Sequence, residues 1–218
     1  MTDFAWVTER LDIRDFDDRD REALLDYVRT PGQLRYLVHR LETEQEVDAF
    51  LDLARATARA EVRTEWHLAV EDRQTPGCIG SVALVIDTTS PTTAELGYWF
   101  KRGAWGKGYA TEASRLVLDW AFRMLQLHRI SGECHDENMA SARVLEKLGM
   151  GFEGLKRGQH WVRGHVRTSR VCAILESEYR AMGIPASQWG LTPTSKQGRN
   201  RAAYESNRPR LEHQSGAV

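Results

Sequence analysis

The 218 residues are 41% hydrophobic, which is enough apolar content for one domain with a full core. Acidic and basic side chains nearly cancel, at a net charge of −1, and this argues against nucleic acid or an anionic membrane as a partner recruited by bulk charge. No apolar run reaches the ~18 residues of a membrane span, and the start Met-Thr-Asp-Phe does not read as a secretory signal, so a cytoplasmic protein is expected. Cys78, Cys134 and Cys172 are widely spaced without a CxxC pair. They suit buried thiols in a reducing compartment, and no metal site is expected from them.

In chain order, Thr8 to Arg14 reads as a first strand, with Leu11 and Ile13 alternating against charged residues. The acidic pair Asp17-Asp18 opens a helix through Leu24, Leu25 and Val28. After Pro31-Gly32 a second helix is predicted, with Thr43-Glu44-Gln45-Glu46 as its capping box and Val47, Phe50, Leu51, Ala54 and Ala58 facing inward. Trp66 to Val70 and Ile79 to Ile86 are strands separated by the turn cluster Asp72 to Gly77, and a loop over Asp87 to Thr93 leads to another, Leu96 to Phe100.

The segment that follows, Arg102-Gly-Ala-Trp105-Gly106-Lys107-Gly108-Tyr109-Ala110-Thr111-Glu112-Ala113, joins that strand to a helix predicted to run to about Gln126. Ala110, Ala113, Val117, Trp120, Ala121 and Met124 form its apolar stripe. Two glycines between a strand and a helix allow a tight turn that aims free N–H groups at one point, and at a helix N-terminus that point attracts phosphate. Lys107 and Arg102 add positive charge. A P-loop needs four residues between its glycines and then Lys-Ser/Thr, and a dinucleotide fold needs GxGxxG; neither spacing is present.

A strand over Arg129 to His135 comes next, then a helix over Asn138 to Leu148 closed by Gly149. The last predicted pair of strands, about Gly151 to Val162 and Val166 to Leu175, turns at Arg163-Gly164. From about residue 184 to Val218 the chain becomes rich in Pro, Ser, Asn, Gln and Arg, and a loosely ordered extension is expected beyond a domain over residues 1–183.

The Gly106-Lys107-Gly108 turn, together with Asn138-x-x-Ser141-x-x-x-Leu145-Glu146-Lys147-x-Gly149 some thirty residues later, resembles the GNAT acyltransferases. Within them Gly97-Tyr98-Trp99, Trp105 to Ala113 and Asn138-x-x-Ser141 look like the RimJ/RimL branch, the ribosomal-protein N-terminal acetyltransferases. Gly149-Met150-Gly151-Phe152-Glu153-Gly154 carries Met where the family often has Phe, and Trp105 stands where it often has Gln or Arg. The resemblance spans about residues 8 to 180. It implies a single α/β domain, with a mixed, mostly antiparallel and splayed sheet flanked by helices, that uses acetyl-CoA and no metal to acetylate a primary amine. The acceptor would be a protein N-terminal α-amine or a small-molecule amine, and a homodimer would be usual.

The resemblance further implies that Trp99, Phe100 and Lys101 offer backbone to the pantetheine arm. Trp105, Gly106, Lys107, Gly108, Tyr109, Ala110 and Thr111 would surround the pyrophosphate, and Asn138 would contact the arm or cap its own helix. An ammonium must lose a proton before it attacks, so a general base is useful. Glu95, Glu133 and His160 compete for that role, with Glu95 ranked first. Ser141 is the candidate donor to the leaving thiolate, since Leu145 occupies the place where some relatives carry a tyrosine. Arg35, Arg40, Arg163, Arg167 and Arg170 cluster near the acceptor side and suggest a polar or partly anionic acceptor. His39, His67, His128, His135 and His165 read as surface or satisfied core residues. A module that senses acyl-CoA without turnover is the reading from another class.

Overall fold

The structure, a computed structural model, describes residues 5–36, 41–162 and 164–184. His39, Arg40, Arg163 and the Pro- and Arg-rich segment from residue 185 lie outside the described residues.

Among the described residues eight strands form one sheet in the order β1-β2-β3-β4-β5-β6-β8-β7. They are β1 (Ala5–Val7), β2 (Leu11–Asp15), β3 (Glu65–Asp72), β4 (Thr75–Ile86), β5 (Thr93–Phe100), β6 (Arg129–His135), β7 (Gly151–Val162) and β8 (His165–Leu175). The helices are α1 (Arg21–Arg29), α2 (Glu44–Arg59), α3 (Tyr109–Met124), α4 (Met139–Lys147) and a short α5 (Glu176–Ala181). Neighbouring strands are antiparallel except β5 and β6, which α3 links by a crossover. The mixed, splayed sheet expected from the sequence is the one present.

Alternation along the strands divides the core between the two faces of the sheet. Trp66, Leu68, Leu84, Leu96 and Ile130 pack with Leu116, Val117 and Trp120 of α3 and Leu145 of α4. On the other face Ala69 and Cys78 meet Phe16, Leu24, Leu25, Val47 and Leu51 beneath α1 and α2. Thr43 and Glu46 close the expected capping box of α2: the Glu46 N–H donates to Thr43 Oγ1 at 3.2 Å and the Thr43 N–H to Glu46 Oε2 at 3.0 Å. All three cysteines are free and buried.

The structure differs from the sequence reading at three places. Thr8-Glu9-Arg10 is a turn between two strands, because the Thr8 side chain takes up Leu11 N–H at 2.8 Å and ends β1 early. Helix α3 stops at Met124, two residues short of Gln126, which has a positive φ of 52°. After β8 the chain turns into α5, whose Tyr179 is buried against the core and donates to Asp119 of α3 at 3.2 Å.

Candidate active site

The parallel pairing of β5 with β6 runs only from Thr93↔Arg129 to Leu96↔Gly132, although β5 continues to Phe100 and β6 to His135. The two strands therefore part and leave a gap in the middle of the sheet. Gly132 stands where the gap opens, and a Cβ there would meet Leu145 Cδ2 at 2.8 Å, so only glycine lets α4 sit this close to β6. Lys101 N–H donates to Ile79 O at 2.9 Å, so Lys101 and every second residue before it turn their backbone groups toward β4. Leu96, Tyr98 and Phe100 turn theirs toward β6, and beyond Leu96 that means into the gap.

Of the three residues expected to line the pantetheine arm, Phe100 thus has its backbone on the gap side, whereas Trp99 and Lys101 face β4. The Phe100 carbonyl already accepts from Trp105 Nε1 at 2.6 Å, which fixes the half-exposed indole at the end of the strand. Trp99 stacks on Tyr27 of α1 at 4.2 Å between ring centres, and Lys101 Nζ pairs with Asp26 at 3.2 Å.

The cradle lies at the mouth of the gap. Gly106 and Gly108 have φ of 75° and 83°, values that exclude a side chain without strain, and Gly108 is the residue from which α3 starts. Tyr109 donates its hydroxyl to Asp72 Oδ2 at 2.7 Å, and Ala110 packs on the core. Thr111 and Gly108 line an outer cavity of ≈ 420 Å³ together with Arg10, Arg115 and Lys147. Lys107 and Arg102 lie together on a second cavity of ≈ 380 Å³.

Sequence reasoning missed Arg10. Its Nε donates to Glu112 Oε2 at 2.8 Å, its Nη2 pairs with the same carboxylate, and its Nη1 donates to Lys107 O at 3.0 Å. Thr8 Oγ1 donates to Glu112 Oε1 at 2.6 Å, and the guanidinium lies 4.9 Å from the Tyr109 ring centre. An acidic residue in the first turn of α3 opposes an anionic ligand, and Arg10 neutralises it. The partners are about a hundred residues apart in sequence, so no local pattern signals them.

Below the gap, on the α3/α4 face, Ser141 Oγ is 2.8 Å from Tyr98 Oη, which also donates to the Ser141 carbonyl at 3.0 Å. Cys134 shares the Ser141 hydroxyl, and burial pushes its thiol up to about 11; burial also raises the Tyr98 phenol well above its ordinary value. Both groups stay protonated at neutral pH. Asn138 caps α4, its Oδ1 accepting from Ser141 N–H at 3.2 Å. Tyr98 is the second residue that sequence reasoning passed over as a side chain.

Above the gap, on the α1/α2 face, lie Glu95 and Glu133. Glu95 is exposed and in register with Ser131, and a Cβ at the next outward position, Gly97, would meet only open space. Glu133 is paired with Lys156 of β7. His160 is set apart from both, opposite Arg167 on the outer β7–β8 hairpin. His135 ends β6 with its ring 5.4 Å from that of Tyr36, which belongs to a 3-10 turn over Gln33–Tyr36. Its Nδ1 accepts from the Glu137 N–H at 3.0 Å, its Nε2 is 3.0 Å from Arg167 Nη1, and burial followed by the Arg167 charge lowers its pKa. Both of its ring nitrogens thus lie within hydrogen-bond distance of N–H groups. Of the arginines expected here, Arg35 and Arg167 reach this face; Arg170 lies on the opposite one, over Phe152 at 4.8 Å and paired with Asp136 at 3.4 Å.

Residues 10–151 match the acetyltransferase (GNAT) domain family. The chain belongs to the GNAT acetyltransferases. An uncharacterized N-acetyltransferase of Bacillus subtilis, YnaD, is 28% identical over 178 residues, covering 79% of this chain and 98% of that protein. In fold the acetyltransferase is similar to the ribosomal-protein-S5-alanine acetyltransferase of Vibrio fischeri, with a TM-score of 0.70, 21% identity and coverage of 81% and 99% of the two chains. It is also similar to the spermidine N-acetyltransferase of Vibrio cholerae, a structure in complex with CoA and spermine, with a TM-score of 0.66, 23% identity and coverage of 78% and 98%. The protein is an acetyl-CoA-dependent N-acetyltransferase, and no helix among the described residues is long and apolar enough to cross a membrane.

Proposed function

We propose that the enzyme acetylates a primary amine, a protein N-terminal α-amine or a small-molecule amine, by direct attack on acetyl-CoA in a ternary complex. The parting of β5 from β6 after Leu96 and Gly132, with the Gly106–Thr111 cradle at its mouth, is the observation that carries this reading. An extended pantetheine arm fills the gap as a pseudo-strand against the backbone of Tyr98 and Phe100. The diphosphate then meets the N-terminus of α3. We place the enzyme in the RimJ/RimL branch on its Trp105 to Ala113 and Asn138-x-x-Ser141 segments; the Vibrio fischeri neighbour, which is named for a ribosomal protein's alanine, supports that choice.

In this mechanism Glu95 takes a proton from the acceptor ammonium, directly or through water. Glu133, paired with Lys156, and His160, on the edge strand β7, are the other candidates for this role. The amine nitrogen attacks the thioester carbonyl, and the oxyanion that forms is held by a gap-facing N–H of Tyr98 or Phe100. The C–S bond then breaks, the departing thiolate takes the Ser141 hydroxyl proton, and the second proton of the attacking nitrogen restores that hydroxyl through water. Cys134 is held protonated by burial and is no nucleophile, which favours direct transfer over an acetyl-enzyme. Proximity and orientation supply much of the acceleration.

Thiol release from acetyl-CoA on a panel of amines tests the reading. Turnover is expected, and Glu95→Gln lowers kcat at neutral pH by about 10²-fold, with partial recovery as rising pH deprotonates the amine. Wild-type turnover in that variant would move the base to Glu133 or His160. Saturable acetyl-CoA binding with no thiol release on any amine would instead favour the acyl-CoA sensor.

A further inference from the structure

His135 is held between two N–H donors, of which a neutral imidazole can accept from only one. A neutral imidazole has one nitrogen that accepts and one that donates. With Nδ1 filled by the Glu137 N–H at 3.0 Å, the proton belongs on Nε2, where it faces Arg167 Nη1 across 3.0 Å. The other tautomer only transfers the conflict to the backbone amide. A doubly protonated ring is worse still, because burial and the Arg167 charge both disfavour it. With the proton on Nε2, two N–H donors from two strands converge on one point.

Arg167 brings a positive charge to that point, opposed there by the more distant carboxylates of Glu137 and Asp136. Among the described residues no carboxylate lies within ion-pair distance of Arg167, and the nearby acids have other partners. Glu133 pairs with Lys156, Asp136 with Arg170 at 3.4 Å, and Glu137 with Arg35 at 3.8 Å. Tyr36 walls the site by stacking on His135, and the Arg35 guanidinium lies 5.0 Å from the Tyr36 ring centre.

We infer that Arg167 and His135 form the subsite for a carboxylate on the acceptor amine. This rests on the acetyl-transfer reading above and narrows its substrate class. Two oxygens of a carboxylate match two converging donors, one of them a guanidinium fork. Residues Glu95, Glu133 and His135 share one sheet face, and two residues of strand advance by roughly 6.6 Å, so the carboxylate sits about that far beyond the level of Glu133. An α-amino acid, with its two groups only a few bonds apart, is too short. From the level of Ser131, opposite Glu95, the same count along β6 gives about 13 Å, so the acceptors that fit are an amine separated from its carboxylate by at least four carbons, or a peptide N-terminus with an acidic side chain close behind it. A polycation such as spermidine is disfavoured at this point.

Matched acceptors test the assignment by thiol release. The pairs are 5-aminopentanoate against 5-aminopentanamide and Gly-Asp-Gly-amide against Gly-Asn-Gly-amide, with spermidine as the cationic control. The wild type should favour the acid member of at least one pair by about 10- to 100-fold in kcat/KM, and the pair that shows it identifies a free amino acid or a peptide as the source. Arg167→Gln should abolish that preference, Arg167→Lys should keep part of it, and Arg180→Gln, on α5 and paired with Glu176, should leave it intact. Turnover of acids, amides and spermidine at equal efficiency would overturn the carboxylate subsite and leave the acetyltransferase reading standing. No thiol release on any amine would overturn both.

Discussion

Ser141 and Tyr98 share one hydrogen-bonding problem. A phenol has a single proton, and the carbonyl of Ser141 can only accept, so Tyr98 donates there at 3.0 Å and receives the Ser141 hydroxyl proton at 2.8 Å. This arrangement holds the hydroxyl at the floor of the gap before any thiolate exists. Tyr98 acts as a positioning residue, kept neutral because burial raises its pKa. Ser141→Ala should lower kcat by about 10- to 100-fold and change the KM for acetyl-CoA far less. Tyr98→Phe should cost less, and the double variant should be no slower than Ser141→Ala alone, since the tyrosine works through the serine. Additive losses in steady-state kinetics would show two independent roles. The sequence pointed to Ser141 through its spacing from Asn138; it gave no sign of what the Tyr98 side chain does, because pairing across 43 positions leaves no local pattern.

At the scale of elements, the turn between β1 and β2 is part of the cofactor site. Thr8 and Arg10 together engage both oxygens of Glu112 in the first turn of α3, where a bare carboxylate would repel a diphosphate. Arg10→Ala should therefore raise the KM for acetyl-CoA several-fold with little change in kcat. Adding Glu112→Gln should restore much of the affinity by removing the charge that Arg10 masks. If the double variant binds acetyl-CoA no better than Arg10→Ala, Arg10 itself touches the ligand and the masking argument is wrong. Periodicity and glycine placement made α3 and the cradle visible in the sequence, whereas the β1–β2 turn was read as continuous strand. Three polar residues in a row, Thr8-Glu9-Arg10, carry no signal for which of them bends. The two faces of β8 were likewise hidden. Arg167 and Arg170 look equivalent in the chain, yet an odd separation along a strand sends them to opposite sides of the sheet.

For the molecule as a whole, the function depends on one opening within the sheet. Seven neighbouring strand pairs hold together among the described residues, and only the parallel one opens, between Leu96–Phe100 and Gly132–His135. Crossover through α3 makes that pair parallel, and α4, seated against Gly132, occupies the same face as the opening. Apart from β1 and α5, the order of strands and helices was legible from alternation, turn residues and caps. The gap was legible only through resemblance, since no residue type announces where two strands part. The central claim is that CoA lies in this opening, and a crystal structure of the enzyme with CoA tests it directly. The account predicts the pantetheine arm between β5 and β6, bonded to the backbone of Tyr98, with the diphosphate against Gly106 to Thr111 and the thiol within reach of Ser141. CoA bound elsewhere, with β5 and β6 paired to their ends, would contradict it.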